Sequence, residues 1–293
     1  ANHACGIAPN GTLACWGSNG FGQLGLGTAN EREISPTTVG LASGVLDVAA
    51  GNSFTCAVLS TGAVYCWGLN QSGQLGNGTL TARARGTQVS GLSVGYSRVA
   101  AGLGHACALG VGGYMKCWGS AGFGLGDGNS LARREPVSVL GLPGSVSSFD
   151  AGPGFTCAVS QGALYCFGSV PNMGTMQVPT VIPGLTSGVA SLSADRHVCA
   201  VLTDGSVKCW GPNADGQLGD GTTVSRSTPT SVVGLAGTVQ DVAAGNSHTC
   251  AMLTSGAVQC WGSNSFGERG DDGGPPTLVP VTVPLGAQQE IFT

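Results

Sequence analysis

The sequence predicts an all-β chain folded as a six-bladed β-propeller of four-stranded antiparallel blades, and three observations predict it. The first is a repeated motif. The stretch Cys56–Cys66, C-A-V-L-S-T-G-A-V-Y-C, recurs at Cys5–Cys15, Cys107–Cys117, Cys157–Cys166, Cys199–Cys209 and Cys250–Cys260, and all 12 cysteines are used. The second is spacing. First cysteines fall at intervals of 51, 51, 50, 42 and 51 residues, and a period near 50 made of short strands marks one propeller blade per repeat. The third is a compensation in the fourth copy, described below.

Each copy reads as a β-hairpin crossed by a disulfide. Val58, Leu59, Val64 and Tyr65 flank a turn at Ser60-Thr61-Gly62. A three-residue hairpin loop needs a left-handed residue in third place, usually Gly, and Gly11, Gly62, Gly113, Gly205 and Gly256 occupy it. With Leu59 opposite Ala63, Cys56 faces Cys66, close enough to bridge. The fourth copy, C-A-V-S-Q-G-A-L-Y-C, is one residue shorter. A two-residue Gln161-Gly162 turn pairs Ser160 with Ala163 and again sets Cys157 against Cys166.

Taken in order, each unit adds two more strands. A strand such as Leu46–Ala50 leads through Gly51 into the hairpin, five of the six hairpins are followed by Trp-Gly and a Gly-rich loop, and a Pro-led strand such as Pro229–Val233 closes the unit. The whole of residues 1–293 forms one domain, with blades near 1–39 plus 290–293, 46–89, 97–139, 147–182, 189–233 and 239–283. The ends interlock in this scheme. Asn2-His3-Ala4-Cys5 enters the first unit part-way, and Gln289–Phe292 matches Leu46–Ala49, so the C-terminal strand is expected to close the first blade and remove its open edge.

Composition narrows the function. Charged residues are 9%, Gly numbers 52 and net charge is −4, so no basic footprint for nucleic acid is present. No apolar run reaches the ~18–20 residues of a membrane span. The chain opens on Ala1 with neither Met nor an apolar leader, as a mature or trimmed product would. Cysteines nine or ten residues apart lie outside zinc-knuckle spacing and point to disulfides in an oxidising compartment, hence a secreted or cell-surface protein.

The pattern A-A-G-x-x-[HF]-x-C-A-V-L-x-x-G-x-V-x-C-W-G-x-N-x-x-G-Q-L-G-x-G-T, nearly complete at Ala49–Thr79 and Ala243–Gly270, resembles the regulator of chromosome condensation repeat. The resemblance covers the whole chain and implies a propeller. Two departures keep the family's exchange-factor activity from being carried over. Members such as the Ran exchange factor have seven blades, and they lack hairpin disulfides. The Gly-Trp-Arg-His-Thr cluster of the family's light-sensing members is absent, so Trp16, Trp67, Trp118, Trp210 and Trp261 read as packing between blades.

No catalytic, cofactor or metal site is expected. The loops Gly22–Thr28, Gly73–Thr79 and Gly216–Thr222 lack the Gly-Lys-Ser/Thr of a phosphate loop and read as tight turns. His3, His105, His197 and His248 stand two residues before a hairpin, interchanging with Phe54 and Phe155, which favours packing over a metal. Asn213 and Asp215 open a calcium-like loop, but Val224 stands where its Glu belongs. Asn10, Asn70 and Asn77 begin glycosylation sequons. Glu31, Glu33, Asp271 and Asp272 read as solvated loop charges.

Two features point to a protein partner or to self-association. Arg83 and Arg85, with Arg133 and Arg134, make basic spots on neighbouring blades. The fourth unit, Phe167–Pro179, has lost its Trp and its Gly-rich loop, and it places Met173 and Met176 in a short loop expected to be exposed, where Met suits an interface. The function expected is a non-enzymatic extracellular interaction or scaffold module. The alternative is an inhibitor or binder of a secreted enzyme, since inhibitors are known with similar repeats. Guanine-nucleotide exchange and a propeller lyase rank lower.

Overall fold

The computed structural model describes residues 2–30, 32–41, 44–120, 124–271 and 273–284. These form six antiparallel sheets arranged as a propeller, and no helix occurs among the described residues. Blade one has three described strands, His3–Ile7, Leu13–Ser18 and Arg32–Thr38. Blade two has four, Val45–Ala50, Phe54–Leu59, Val64–Gly68 and Arg83–Gln88. Blades three to six repeat that order, each starting on an innermost strand: Tyr96–Ala101, Val146–Ala151, Val189–Ala194 and Val239–Ala244. These strands pack on one another around the axis. The segment Gln289–Phe292, expected to complete blade one, lies outside the described residues.

The hairpin register is the expected one. Cys5 pairs with Cys15, Cys56 with Cys66, Cys107 with Cys117, Cys157 with Cys166, Cys199 with Cys209 and Cys250 with Cys260. All six pairs are disulfides with Cα atoms 4.1 Å apart, the close, non-hydrogen-bonded kind of antiparallel pair. The five three-residue turns place Gly at φ of 78–83°. The fourth turn holds Gln161 at 52° and Gly162 at 73°, the mirror-image geometry that suits a two-residue hairpin.

One boundary differs from expectation. The fourth strand of blade five runs Arg226–Ser231, so Pro229 sits inside it rather than leading it. Pro36, Pro136, Pro179 and Pro280 lie inside their fourth strands too. These are edge strands, where a residue without N–H leaves no ladder bond unmade.

The core lies between blades. Phe54, Val58 and Val64 of blade two pack with Tyr96, Val99, Ala106 and Trp118 of blade three, and the other described seams repeat the arrangement. Trp67, Trp118, Trp210 and Trp261 are fully buried, as expected of packing between blades. Trp16, in blade one, is half-buried.

Candidate functional site

The polar residues singled out from the sequence lie mostly at the seams. His3 Nε2 is 2.8 Å from Thr55 Oγ1, His105 Nε2 3.0 Å from Thr156 Oγ1, and His197 Nε2 2.6 Å from Thr249 Oγ1. Each Thr belongs to the next blade. Thr55 and Thr249 donate their hydroxyl protons to the Gln23 and Gln217 carbonyls, so the imidazole must be the donor through Nε2. The Nδ1 atoms of His3 and His197 are then bare, buried acceptors without a partner, and His105 Nδ1 is likewise buried without a partner. Burial lowers their pKa values to about 4 for His3 and His105 and about 3 for His197. Among the described residues no group of three or more His, Cys, Asp or Glu is placed to hold a metal.

The latch was readable in the sequence and missed. Where a blade carries Phe54 or Phe155 instead of His, the following blade has Ala106 or Val198 in place of the Thr. For His248, the last of the set, the corresponding position of blade one in the repeat is Ala4 in place of a Thr. It is half-buried, with its pKa lowered by burial and pulled back up by Glu268 and Asp195.

The Gly-rich loops bind the next blade. Trp67, Trp118 and Trp261 donate their indole N–H to the Gln23, Gln74 and Gln217 carbonyls at 2.8–2.9 Å. Trp210 follows the blade that has no such loop, and its indole nitrogen is buried without an acceptor. Asn70 and Asn213 organise their loops from inside, each accepting the N–H of Leu75 or Leu218 and donating to backbone carbonyls. That role accounts for Asn213 without calcium and buries the Asn70 sequon, whereas Asn10 is exposed. In the sixth loop Arg269 replaces the buried Leu. Its guanidinium is buried 3.0 Å from Asp271, so Asp271 is an ion-pair partner and not the solvated charge expected. Glu31 and Asp272 lie outside the described residues.

Along the axis, carboxylates cap inner-strand edges. Asp47 accepts the Val99 N–H at 2.8 Å, and Asp150 accepts the Ala194 N–H at 2.8 Å. Burial raises both pKa values, against the pull of those N–H groups and of Arg98. These groups are committed to holding adjacent blades together.

On the rim, Arg133 and Arg226 pair with Asp127 and Asp220 at 2.6 and 2.7 Å. Blade two has Asn77 in the place of that Asp, and Arg83 and Arg85 are exposed with no carboxylate partner among the described residues. Met173 and Met176 differ from expectation. The strands Ala163–Val170 and Gly174–Val181 are joined by a tight turn in place of a loop. Both Met side chains are partly buried against the core between blades four and five.

The antiparallel order divides the ends of the blades between two faces. The long loops between third and fourth strands open on one face, and the hairpin turns open on the other. Phe266, on a long loop of blade six, is 94% exposed. On the hairpin face, a 270 Å³ groove beside blade three is lined by Tyr114, Met115, Val139 and Leu142 among others.

The comparisons with known proteins agree with this architecture. The regulator of chromosome condensation (RCC1) repeat profile matches residues 10–58, 61–109 and 204–252, and a second profile of the same repeat matches 45–74 and 239–268. The chain is 30% identical over 308 residues to the ultraviolet-B receptor UVR8 of Arabidopsis thaliana, covering 99% of this chain and 70% of the receptor. It is 27% identical over 283 residues to the human probable E3 ubiquitin-protein ligase HERC6, covering 94% of this chain but 23% of that protein. The structure of Prp20p from Saccharomyces cerevisiae, described with its binding to Gsp1p and histones, superposes with a TM-score of 0.82 at 21% identity over 97% of this chain and 75% of that one. With six propeller blades, the repeat matched over residues 10–58, 61–109 and 204–252 and a relative 30% identical over nearly all of this chain, the chain belongs to the regulator of chromosome condensation repeat family.

Proposed function

We propose that the chain is a non-enzymatic protein-binding and scaffolding module that works outside the cell or at its surface. The observation that carries this reading is the set of six hairpin disulfides. Structural disulfides persist in oxidising compartments, and here each blade has its own. His3, His105, His197, Asp47 and Asp150 are engaged in holding blades together, which favours the two faces and the rim for recognition. Prp20p, which shares the fold, binds Gsp1p and histones.

The rim of blade two is the first contact we propose. Arg83 and Arg85 are exposed and have no ion-pair partner among the described residues, which suits them to an acidic partner surface. Met173 and Met176 keep a proposed share in the contact through the parts of their side chains left uncovered.

Affinity capture of the tagged chain from the culture fluid and envelope of the producing cell tests the reading. Stoichiometric recovery of a secreted polypeptide, or of untagged chain, supports it, and recovery should fall with Arg83→Glu and Arg85→Glu together. A secreted enzyme as partner would favour the inhibitor reading. Turnover of a substrate by the purified chain, or no partner in either fraction, overturns the proposal.

A further inference from the structure

Five of the six outer strands carry Pro at one register position, and blade two does not. The second cysteine of each hairpin pairs with one residue of its outer strand, Thr87 in blade two. The residue just before that partner is Pro36, Pro136, Pro179, Pro229 or Pro280 in five blades and Gly86 in blade two.

The hydrogen bonds on either side fix the direction in which this position faces. Three residues on, Val89 donates its N–H inward to the Val64 carbonyl at 2.9 Å, and the equivalent residues of the other blades do the same. Peptide groups alternate in direction along a strand, so the Pro position points outward, away from the sheet. Two residues earlier, the Ala84, Arg134 and Leu278 carbonyls also point outward and accept N–H groups from Gly27, Gly78 and Gly221 of the preceding blade. Pro at the outward position removes the N–H that an added strand would engage, which blocks pairing at the edge.

Blade two lacks that block. Its outward edge is capped at one end by Gly27 on the Ala84 carbonyl, and at the other by the Ser90 N–H on the Gly76 carbonyl. Between the caps the outward residues are Gly86 and Gln88, the first half-buried and the second exposed. The Gly86 backbone lies outside the left-handed region, so its conformation does not demand Gly. Beside this opening Arg83 and Arg85 are exposed with no ion-pair partner among the described residues. The Arg85 guanidinium lies over Gly27, where a Cβ would come within 2.5 Å of Nη2.

Resting on the protein-binding reading above, we infer that the partner adds a strand at this edge. An extended acidic segment of another polypeptide pairs with Gly86–Gln88 through the main chain and neutralises Arg83 and Arg85. Strand addition draws affinity from main-chain hydrogen bonds and specificity from the side chains alongside. Charge selects the occupant. A second copy offering the same edge would set Arg against Arg, and its other five outer strands carry the Pro.

A labelled synthetic peptide of alternating Glu and Thr, blocked at both ends, is the probe, with a Lys-for-Glu version as control. Fluorescence anisotropy with the full chain should show saturable binding of the acidic peptide alone, weakened by salt. Gly86→Pro installs the residue of the other five blades, and its Cβ would press only on the movable Leu41 side chain. Melting temperature and disulfide content should therefore hold, while affinity falls more than about tenfold. Arg83→Glu with Arg85→Glu should abolish binding. A measurement that needs no variant is hydrogen exchange, which should slow at the Gly86 and Gln88 amides in the saturated complex. Failure of the acidic peptide to bind at about 1 mM overturns the inference. So do unprotected Gly86 and Gln88 amides in the complex, or undiminished affinity in Gly86→Pro. If that variant binds fully while Arg83→Glu with Arg85→Glu does not, strand addition is wrong and the acidic-partner reading stands. Equal binding of the two peptides overturns the choice of an acidic occupant.

Discussion

A buried imidazole that donates through Nε2 has no partner for a second proton on Nδ1. His3 and His197 are in that position, His105 is buried with its Nδ1 equally unpartnered, and burial lowers the three pKa values from 6.5 to about 4 for His3 and His105 and about 3 for His197. Unfolded, each titrates near 6.5 and takes up a proton that the folded state refuses. Their contribution to stability is therefore complete above about pH 6.5 and falls as pH drops toward the folded values, by on the order of 3 kcal/mol per histidine at pH 4. Asp47 and Asp150 act in the reverse sense, since their raised pKa values favour the folded state once they protonate. Melting curves from pH 7 to pH 4 should show a falling Tm that flattens when all three histidines become Gln. An unchanged slope would show that the latches are not responsible. Tryptophans give a second contrast. Trp118→Phe leaves the Gln74 carbonyl without its donor and should cost about 1–3 kcal/mol. Trp210→Phe removes a donor that has no acceptor, so denaturant unfolding should place it within about 1 kcal/mol of the parent. Neither result was legible beforehand, because a Trp in a repeat reads as packing until its acceptor is known.

At the scale of the element, the hairpins were fully legible and the fourth blade was not. Turn length, Gly placement and cysteine spacing are local quantities, and they determine register without reference to the rest of the chain. What replaces a lost loop is decided by the neighbouring blade. The sequence of the fourth unit suggested an exposed loop, but the chain extends both strands and folds Met173 and Met176 back onto the seam with Trp210. Changing both to Ser should therefore lower stability by on the order of 2 kcal/mol, a Tm fall of several degrees by calorimetry. A melting curve that does not move would mean that the pair contributes little to the seam.

For the whole molecule, blade number and the all-β architecture followed from the repeat period. The alternation of seams followed only once the blades were paired in space. His–Thr latches join blades one and two, three and four, and five and six, while Phe54 and Phe155 meet Ala106 and Val198 in the clusters at the two intervening seams. Closure between blades six and one remains a proposal, with Gln289–Phe292 as the fourth strand of blade one. Deleting Gln289–Thr293 should lower Tm markedly although the segment is terminal, and unaltered melting would rule that closure out.

The six disulfides each join residues 9 or 10 positions apart, and none crosses from one blade to another. During synthesis that locality matters more than the bonds' strength. Twelve thiols can pair in on the order of ten thousand ways, yet the loop-closure cost is lowest for the nearest pair. Each hairpin can therefore be oxidised as soon as its own turn has emerged, before the next blade exists. Each new blade is then made with the cysteines of every earlier blade already paired, and what is left to form between blades is non-covalent packing.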